Sequence, residues 1–324
     1  MAFDRDLAVV FAAHAARRFP GDSAGWEMLA ATGARSLRMA HEGRYPARWH
    51  LTEAHPDAAE VACRNVALNP DVRADVENAD ARRGSAAAPF DFVDLDPYGT
   101  PVPFVPFALA ALRDFGVLGV AATDMAVLAG AAGDACQRRY GARPVRGRLG
   151  PEGGLRVLLA YLDRQAAEGG RAIEPLIAYV GSHHVRAFVR VVPIRSVGER
   201  PIATIDETSW DGPPLGRGSP WGPLWTGPLF DPTTVDELRE GPGLEHPDRV
   251  RRFLAIVREE ARVVAPFTYE PNELAHRLHR SEPIAPAELV ARLRRAGYVA
   301  ARSHVRDGAV RSDAPRAVVE AVAR

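Results

Sequence analysis

The run Asp94-Leu95-Asp96-Pro97-Tyr98-Gly99-Thr100-Pro101 brings two carboxylates, a rigid carbonyl and an aromatic ring together directly after an apolar segment. The exocyclic amine of a purine is a poor nucleophile because its lone pair is delocalised into the ring. A carboxylate and a main-chain carbonyl that accept its two N–H bonds localise that density and orient it toward an electrophile such as a methyl sulfonium. On this reading Asp96 is the catalytic carboxylate, the Pro97 carbonyl is a second acceptor, and Tyr98 is a platform for the base. The competing reading is a plain turn, since Asp, Pro and Gly all favour turns.

A second constellation lies upstream. In Ala30-Ala31-Thr32-Gly33-Ala34-Arg35 a glycine permits close backbone approach, and the following helix offers its N-terminus. Glu53 stands 20 residues beyond Gly33, where doubly wound folds place a carboxylate that accepts hydrogen bonds from ribose hydroxyls. Asp80, at the end of the next strand, is in place to meet an adenine amino group. Each has a bland alternative: a structural turn at Gly33, part of a helix cap at Glu53, a surface turn at Asp80. The three-glycine dinucleotide fingerprint is absent, which argues against a nicotinamide dehydrogenase.

These residues need elements to hold them, and the hydrophobic periods supply a repeating β-α unit. Strands are expected at Trp26 to Ala30, Ala47 to Glu53, Val72 to Glu77, Phe90 to Leu95 and Val117 to Thr123; helices at Ala34 to Gly43, Pro56 to Asn69 and Val102 to Asp114. Such alternation implies a parallel sheet covered by helices on both faces. Ile173 to Val180 and Val185 to Val192 are separated by only four residues, too few for a parallel crossover, so they form an antiparallel hairpin. A doubly wound sheet ending in an antiparallel pair is the Rossmann-like arrangement of class I S-adenosylmethionine-dependent methyltransferases. The expected fold is therefore α/β, with residues 1–194 as the methyltransferase domain. A connector rich in Pro, Gly and Trp spans 195–228, and a smaller α+β domain spans 229–324. In that last part helices are expected around Pro247 to Val263, Asn272 to Arg280 and Pro286 to Ala296, with a strand from Tyr298 to Val305.

Composition bounds the alternatives. The chain has 324 residues, which at roughly 150 per domain suggests about two domains. Its 41 basic residues, all arginine, balance 41 acidic ones, so any nucleic-acid site is a local patch. Candidate phosphate contacts are Arg143, Arg146 and Arg148, then Arg249, Arg251 and Arg252, then Arg292, Arg294 and Arg295. Two cysteines, Cys63 and Cys136, supply neither a disulfide framework nor a four-thiolate zinc site, and no metal is expected. Leu7 to Ala13 follows acidic rather than basic residues and does not read as a secretion signal. The apolar region Gly116 to Gly133 carries Asp124 and does not read as a membrane span. A cytoplasmic protein without membrane association or an obligate protein partner is expected.

Taken together, the sequence resembles the tRNA guanine-N2 dimethyltransferases that modify guanosine 26. The resemblance runs through Phe3-Asp4-Arg5-Asp6-Leu7, Ala31-Thr32-Gly33-Ala34-Arg35, Asn65 to Asn69, Asp94 to Pro101 and Ala122-Thr123-Asp124. It continues through His184-Val185-Arg186-Ala187-Phe188-Val189-Arg190, Gly222 to Leu229, Pro266-Phe267-Thr268-Tyr269 and Ser312-Asp313-Ala314-Pro315. It implies that Arg5, Thr32, Gly33, Arg35, Glu53, Asp80 and Ala81 line an S-adenosyl-L-methionine site, with the arginines near the methionine carboxylate. It also implies that Asp96 is catalytic and that the second domain helps to hold tRNA. Three departures stand out: little chain precedes the Phe3-to-Leu7 motif, residues 201–220 lack the cysteine cluster that many members carry, and Asp4 and Tyr98 stand where Asn and Phe are commoner. Two other functions use the same letters: a methyltransferase acting on a different RNA, DNA or protein amine, and a non-catalytic RNA-binding relative. Nucleoside analysis separates the first; cofactor binding separates the second.

Overall fold

The segment Phe90–Leu95 is buried at every position, which only a strand flanked on both sides and covered on both faces achieves. In the computed structural model, which describes residues 2–19, 23–85, 87–216, 218 and 220–324, this strand lies at the centre of a seven-stranded sheet. The first half of the chain runs α1 (Ala2–Arg18), β1 (Ala24–Glu27), α2 (Ala34–His41), β2 (Arg48–Thr52), α3 (Pro56–Ala67), β3 (Ala74–Glu77), β4 (Phe90–Leu95), α4 (Val105–Ala111) and β5 (Leu112–Ala122). Three helices follow, α5 (Met125–Leu128), α6 (Gly133–Tyr140) and α7 (Gly150–Glu168), and then β6 (Arg171–Val180) and β7 (Val185–Pro193). The sheet order is β3-β2-β1-β4-β5-β7-β6. Strands β1 to β5 are parallel to their neighbours, and β7 pairs antiparallel with both β5 and β6. The parallel sheet with its terminal hairpin is thus the expected one.

Three stretches differ from the sequence reading. The helix expected over Val102 to Asp114 stops at Ala111, because Leu112 pairs with Phe90 and the chain bulges through Phe115, at φ 66°, before Val117 re-enters the register opposite Phe92. The 19-residue α7 was not expected at all. It is buried on nearly every side, so it has no polar face to give it a helical period. The Pro, Gly and Trp-rich stretch after β7 contains an antiparallel pair, β8 (Ile202–Ile205) with β9 (Trp221–Trp225), and Trp221 and Trp225 are buried in the sheet's core.

The remainder comprises α8 (Pro232–Glu237), α9 (Pro247–Glu260), α10 (Pro271–Arg277), α11 (Pro286–Arg295), β10 (Ala300–Arg302), β11 (Val310–Ser312) and α12 (Arg316–Val322). The core of the sheet extends through Leu254 and Val257 of α9 to Phe267, and a separate apolar cluster begins at Tyr269 and ends at Ala323. A chain of buried charges joins the two. Glu152 of α7 lies 2.8 Å from both Arg156 and Arg311, Arg311 lies 2.9 Å from Glu260, and Glu260 lies 2.7 Å from His304. The amide of Val180 on β6 donates to the other ring nitrogen of His304 at 3.2 Å.

Every side chain in that network is at most 3% exposed, so losing one partner strands a charge away from water. Arg311→Met is expected to lower unfolding free energy by about 3–5 kcal/mol. Urea unfolding measures it, and a change below ~1 kcal/mol contradicts the role of the network.

Candidate active site

Strand order reverses between β1 and β4, and the crevice outside the carboxyl ends of the strands at such a switch is where α/β sheets bind ligands. Asp94 and Asp96 lie at this edge. They are two residues apart on an extended chain, so their side chains project to the same face. Asp94 is fully buried, whereas the Asp96 side chain is 31% exposed. Two guanidiniums hold the pair. Arg35, in the first turn of α2, ion-pairs with Asp96 and places Nε 3.3 Å from Asp94 Oδ2. Arg186, buried on β7, ion-pairs with Asp94 Oδ1 and leaves Nη1 3.9 Å from Asp96 Oδ1. Gly119 faces Asp94 on one side and Phe188 on the other in the sheet register. A Cβ there would lie 2.6 Å from Asp94 Oδ1 and 3.0 Å from the Phe188 ring, so glycine makes the room this cluster needs. Beyond Asp96, Pro97 is buried and the Tyr98 ring is fully exposed. Thr123 Oγ1, after β5, accepts from the Gly99 amide at 2.7 Å and anchors that loop.

The turn after β1 is built around Gly33, which adopts φ 71° and starts α2. The Glu53 carboxylate, just past β2, spans it: one oxygen accepts from the Ala31 amide at 2.7 Å and the other from the His55 amide at 2.8 Å. Each carboxylate oxygen retains a lone pair for a further donor. Asn65 donates to the Thr32 carbonyl at 2.8 Å, fixing the same turn from α3. Asp80, after β3, accepts from the Arg82 amide at 2.9 Å and caps the short turn Ala81–Arg83. The Arg82 side chain and backbone hydrogen bonds pull its carboxyl down to about 2. Ala81 is buried behind it. Arg5 is half-buried on α1 and has no hydrogen bond or ion pair among the described residues.

Several contacts around this site are not readable from the sequence. Asp4 does not stand as a lone charge: it accepts from the Tyr179 hydroxyl at 3.1 Å and lies 2.7 Å from His184 Nε2. Burial pushes its carboxyl up, but the hydrogen bond and charge of His184 prevail and hold it well below the usual range. The partners are 175 and 180 residues away in sequence, so only the fold reveals the pairing. The adjacent Asp6 accepts from Arg38 at 2.8 Å and from the His246 amide at 2.8 Å, which docks α1 against the start of α9. Glu27, at the end of β1, is buried and accepts from Ser36 Oγ at 2.5 Å. Asp124 occupies the N-cap position of α5 without a capping hydrogen bond from its side chain; it accepts instead from the Tyr140 hydroxyl at 2.9 Å and pairs with Arg139 at 3.3 Å.

S-Adenosylmethionine requires acceptors for a ribose and cations for a carboxylate. Glu53 with its spare lone pairs, and the Arg5 guanidinium and buried Arg35 Nη1, neither with a hydrogen-bond partner among the described residues, fit that demand. A parallel sheet closed by an antiparallel hairpin, with acidic groups at its switch point, defines a class I S-adenosylmethionine-dependent methyltransferase. The chain matches the N2,N2-dimethylguanosine tRNA methyltransferase family over residues 1–201 and 216–324 and belongs to it. It is 33% identical to the tRNA (guanine(26)-N(2))-dimethyltransferase of Thermococcus kodakarensis, covering 99% of this chain and 91% of the relative. It is also 33% identical to the Mus musculus enzyme of that name, covering 89% of this chain and 50% of the relative. The solved structure of Trm1 from Pyrococcus horikoshii with S-adenosyl-L-methionine superposes with a TM-score of 0.84 at 29% identity, covering 99% of this chain and 92% of that one.

Glu27 gives the site a pH signature. Burial, and then the nearby Asp94 charge, raise its carboxyl to about 7 from an ordinary 4.5. The folded state thus favours the protonated form, so stability falls as pH rises from the unfolded value through 7, by about 3 kcal/mol in all. Glu27→Gln is expected to be more stable than the parent at pH 8 by about 1–3 kcal/mol, with the difference closing toward pH 5. Urea unfolding at the two pH values checks this, and a difference independent of pH contradicts it.

Proposed function

We propose that this protein transfers methyl groups from S-adenosyl-L-methionine to the exocyclic N2 of guanosine 26 in tRNA, giving N2-methyl- and N2,N2-dimethylguanosine. The observation that carries the reading is the partly exposed Asp96 carboxylate at the end of β4, beside the exposed Tyr98 ring. S-Adenosylmethionine, when bound, supplies an electrophilic methyl on a sulfonium. Arg5 and Arg35 would hold its carboxylate, Glu53 its ribose, and Thr32, Gly33, Asp80 and Ala81 the remaining edge of the nucleoside. Tyr98 stacks on the guanine. Asp96 accepts one N–H of the amine and the Pro97 carbonyl accepts the other, which turns the nitrogen lone pair toward the methyl. The proton released on transfer passes to Asp96, directly or through water.

The arginine groups differ in what they offer a phosphate backbone. Arg292 and Arg295 lie 2.8 and 3.2 Å from Glu288, and Arg294 lies 3.0 Å from Glu259, so that group is neutralised within the fold. Arg249 lies 4.2 Å over the Phe3 ring, and Arg251 pairs with Glu240 and Asp248. Arg143 and Arg146 are exposed and have no side-chain hydrogen bond or ion pair among the described residues. Arg146 and Arg148 line a cavity of about 740 Å³ with His276 and Arg277 of α10. This seam supports tRNA held between 1–194 and the 229–324 domain, with 195–228 connecting them. Work on tRNA also implies a cytoplasmic location; among the described residues no helix is long and apolar enough to cross a membrane.

Incubation with labelled cofactor and unmodified tRNA transcript, followed by digestion to nucleosides, tests the reading. Labelled N2-methylated guanosine is expected, and label in any other nucleoside overturns it. Asp96→Ala is expected to lose transfer by ~100-fold or more while cofactor affinity by calorimetry stays close to the parent; near-normal turnover rules out the assigned role. Arg143→Glu with Arg146→Glu is expected to weaken tRNA binding and to flatten the slope of log affinity on log salt by about 1–2. An unchanged slope places the phosphate contacts elsewhere.

A further inference from the structure

Arg186 has more hydrogen-bonding capacity than its surroundings use. A guanidinium carries five N–H donors in a fixed fork. Nη2 is committed to Asp94 Oδ1, while Nη1 and Nε are buried without a hydrogen-bond partner among the described residues. A buried donor left unmade is costly, so such atoms stay in place only where another state of the molecule uses them or the surroundings compel them. Nη1 lies 3.9 Å from Asp96 Oδ1, about 1 Å longer than a typical N–H···O bond. The other oxygen of Asp96 is held by Arg35. The two oxygens of the proposed catalytic carboxylate therefore face two guanidiniums of different character.

Arg35 lies nearer the surface than Arg186. Arg35 projects from the first turn of a helix at the rim of the crevice and retains 11% exposure. Arg186 is 1% exposed, lies across from Tyr179 in the β6–β7 register, and stacks its guanidinium 4.9 Å over Phe188. Its near edge is bounded by Asp94, which Gly119 admits by having no Cβ.

We propose that Arg186 is a positioning residue for methyl transfer: when Arg35 turns to the carboxylate of the cofactor, Arg186 Nη1 takes over Asp96 Oδ1 and fixes the orientation in which Asp96 accepts the guanine amine. Asp94 is the pivot, bound to both arginines and holding Arg186 in place throughout. The inference rests on the reading of Asp96 given above. Lysine at 186 retains the charge but, as a point donor, does not serve Asp94 and Asp96 in one plane. Methionine removes both contacts. Alanine at 119 keeps every charge and displaces the Asp94 oxygen and Phe188.

The test compares Arg186→Met, Arg186→Lys and Gly119→Ala with the parent, reading cofactor affinity by calorimetry and single-turnover transfer to unmodified tRNA transcript on folded protein. Transfer by Arg186→Met is expected to fall ~100-fold or more, with Arg186→Lys recovering part of the loss and Gly119→Ala falling about tenfold. Cofactor affinity is expected to stay within about threefold in all three. Should Arg186→Met not fold, Arg186→Lys and Gly119→Ala decide the matter. Parent-like transfer in both of those, with Asp96→Ala inactive, overturns this inference alone. An active Asp96→Ala instead removes the reading on which it rests. A loss of transfer matched by an equal loss of cofactor affinity assigns Arg186 to the cofactor site and also overturns the proposal.

Discussion

A carboxylate sealed from water beneath the switch point of a sheet must be compensated, and Asp94 imposes that requirement on everything around it. The desolvation penalty for such a group is several kcal/mol, and only charges in direct contact offset it. Arg35 and Arg186 provide them from opposite ends of the domain, one from the turn after β1 and one from the antiparallel strand β7. The antiparallel hairpin is therefore more than a way to end the sheet. It returns a strand beside β5 so that a residue 92 positions from Asp94 arrives at the same point. Gly119, between Asp94 and Phe188, is the steric condition for that meeting.

The same balance sets the character of the exposed partner. Asp96 shares the face of Asp94 and meets the same two guanidiniums, yet it keeps a third of its surface open to the crevice. A carboxylate oriented by cations but accessible to a ligand is suited to accept N–H donors at a fixed angle. Glu27 extends the cluster inward, and its carboxyl is raised first by burial and then by the Asp94 charge. At the other end of the domain, Glu152, Arg156, Arg311, Glu260 and His304 solve the same problem in a different place, and there the result is a joint between the helix beneath the sheet and the last quarter of the chain.

Much of this was legible in the sequence where periodicity and local chemistry coincide. Phe90–Leu95 reads as a strand because every residue but its acids is apolar, and the four-residue gap before Val185 forces an antiparallel return. Gly33, Glu53 and Asp96 are readable because strand ends are where a doubly wound sheet carries chemistry. Illegible parts share one cause, which is burial without periodicity or pairing across long separations. Helix α7 has no exposed stripe to reveal it. Arg186 sits in the alternation of β7 like any surface arginine, and nothing local announces that its face is buried. The Asp4–His184 contact joins the first helix to the hairpin turn.

The most direct measurement is a crystal structure of the protein with S-adenosyl-L-methionine and guanosine monophosphate bound. The account places the guanine amine nitrogen about 3 Å from both an Asp96 carboxylate oxygen and the Pro97 carbonyl, with Asp94 still seated between its two arginines. A base bound with its amine turned away from Asp96, or an Asp94 released from Arg186, would contradict it.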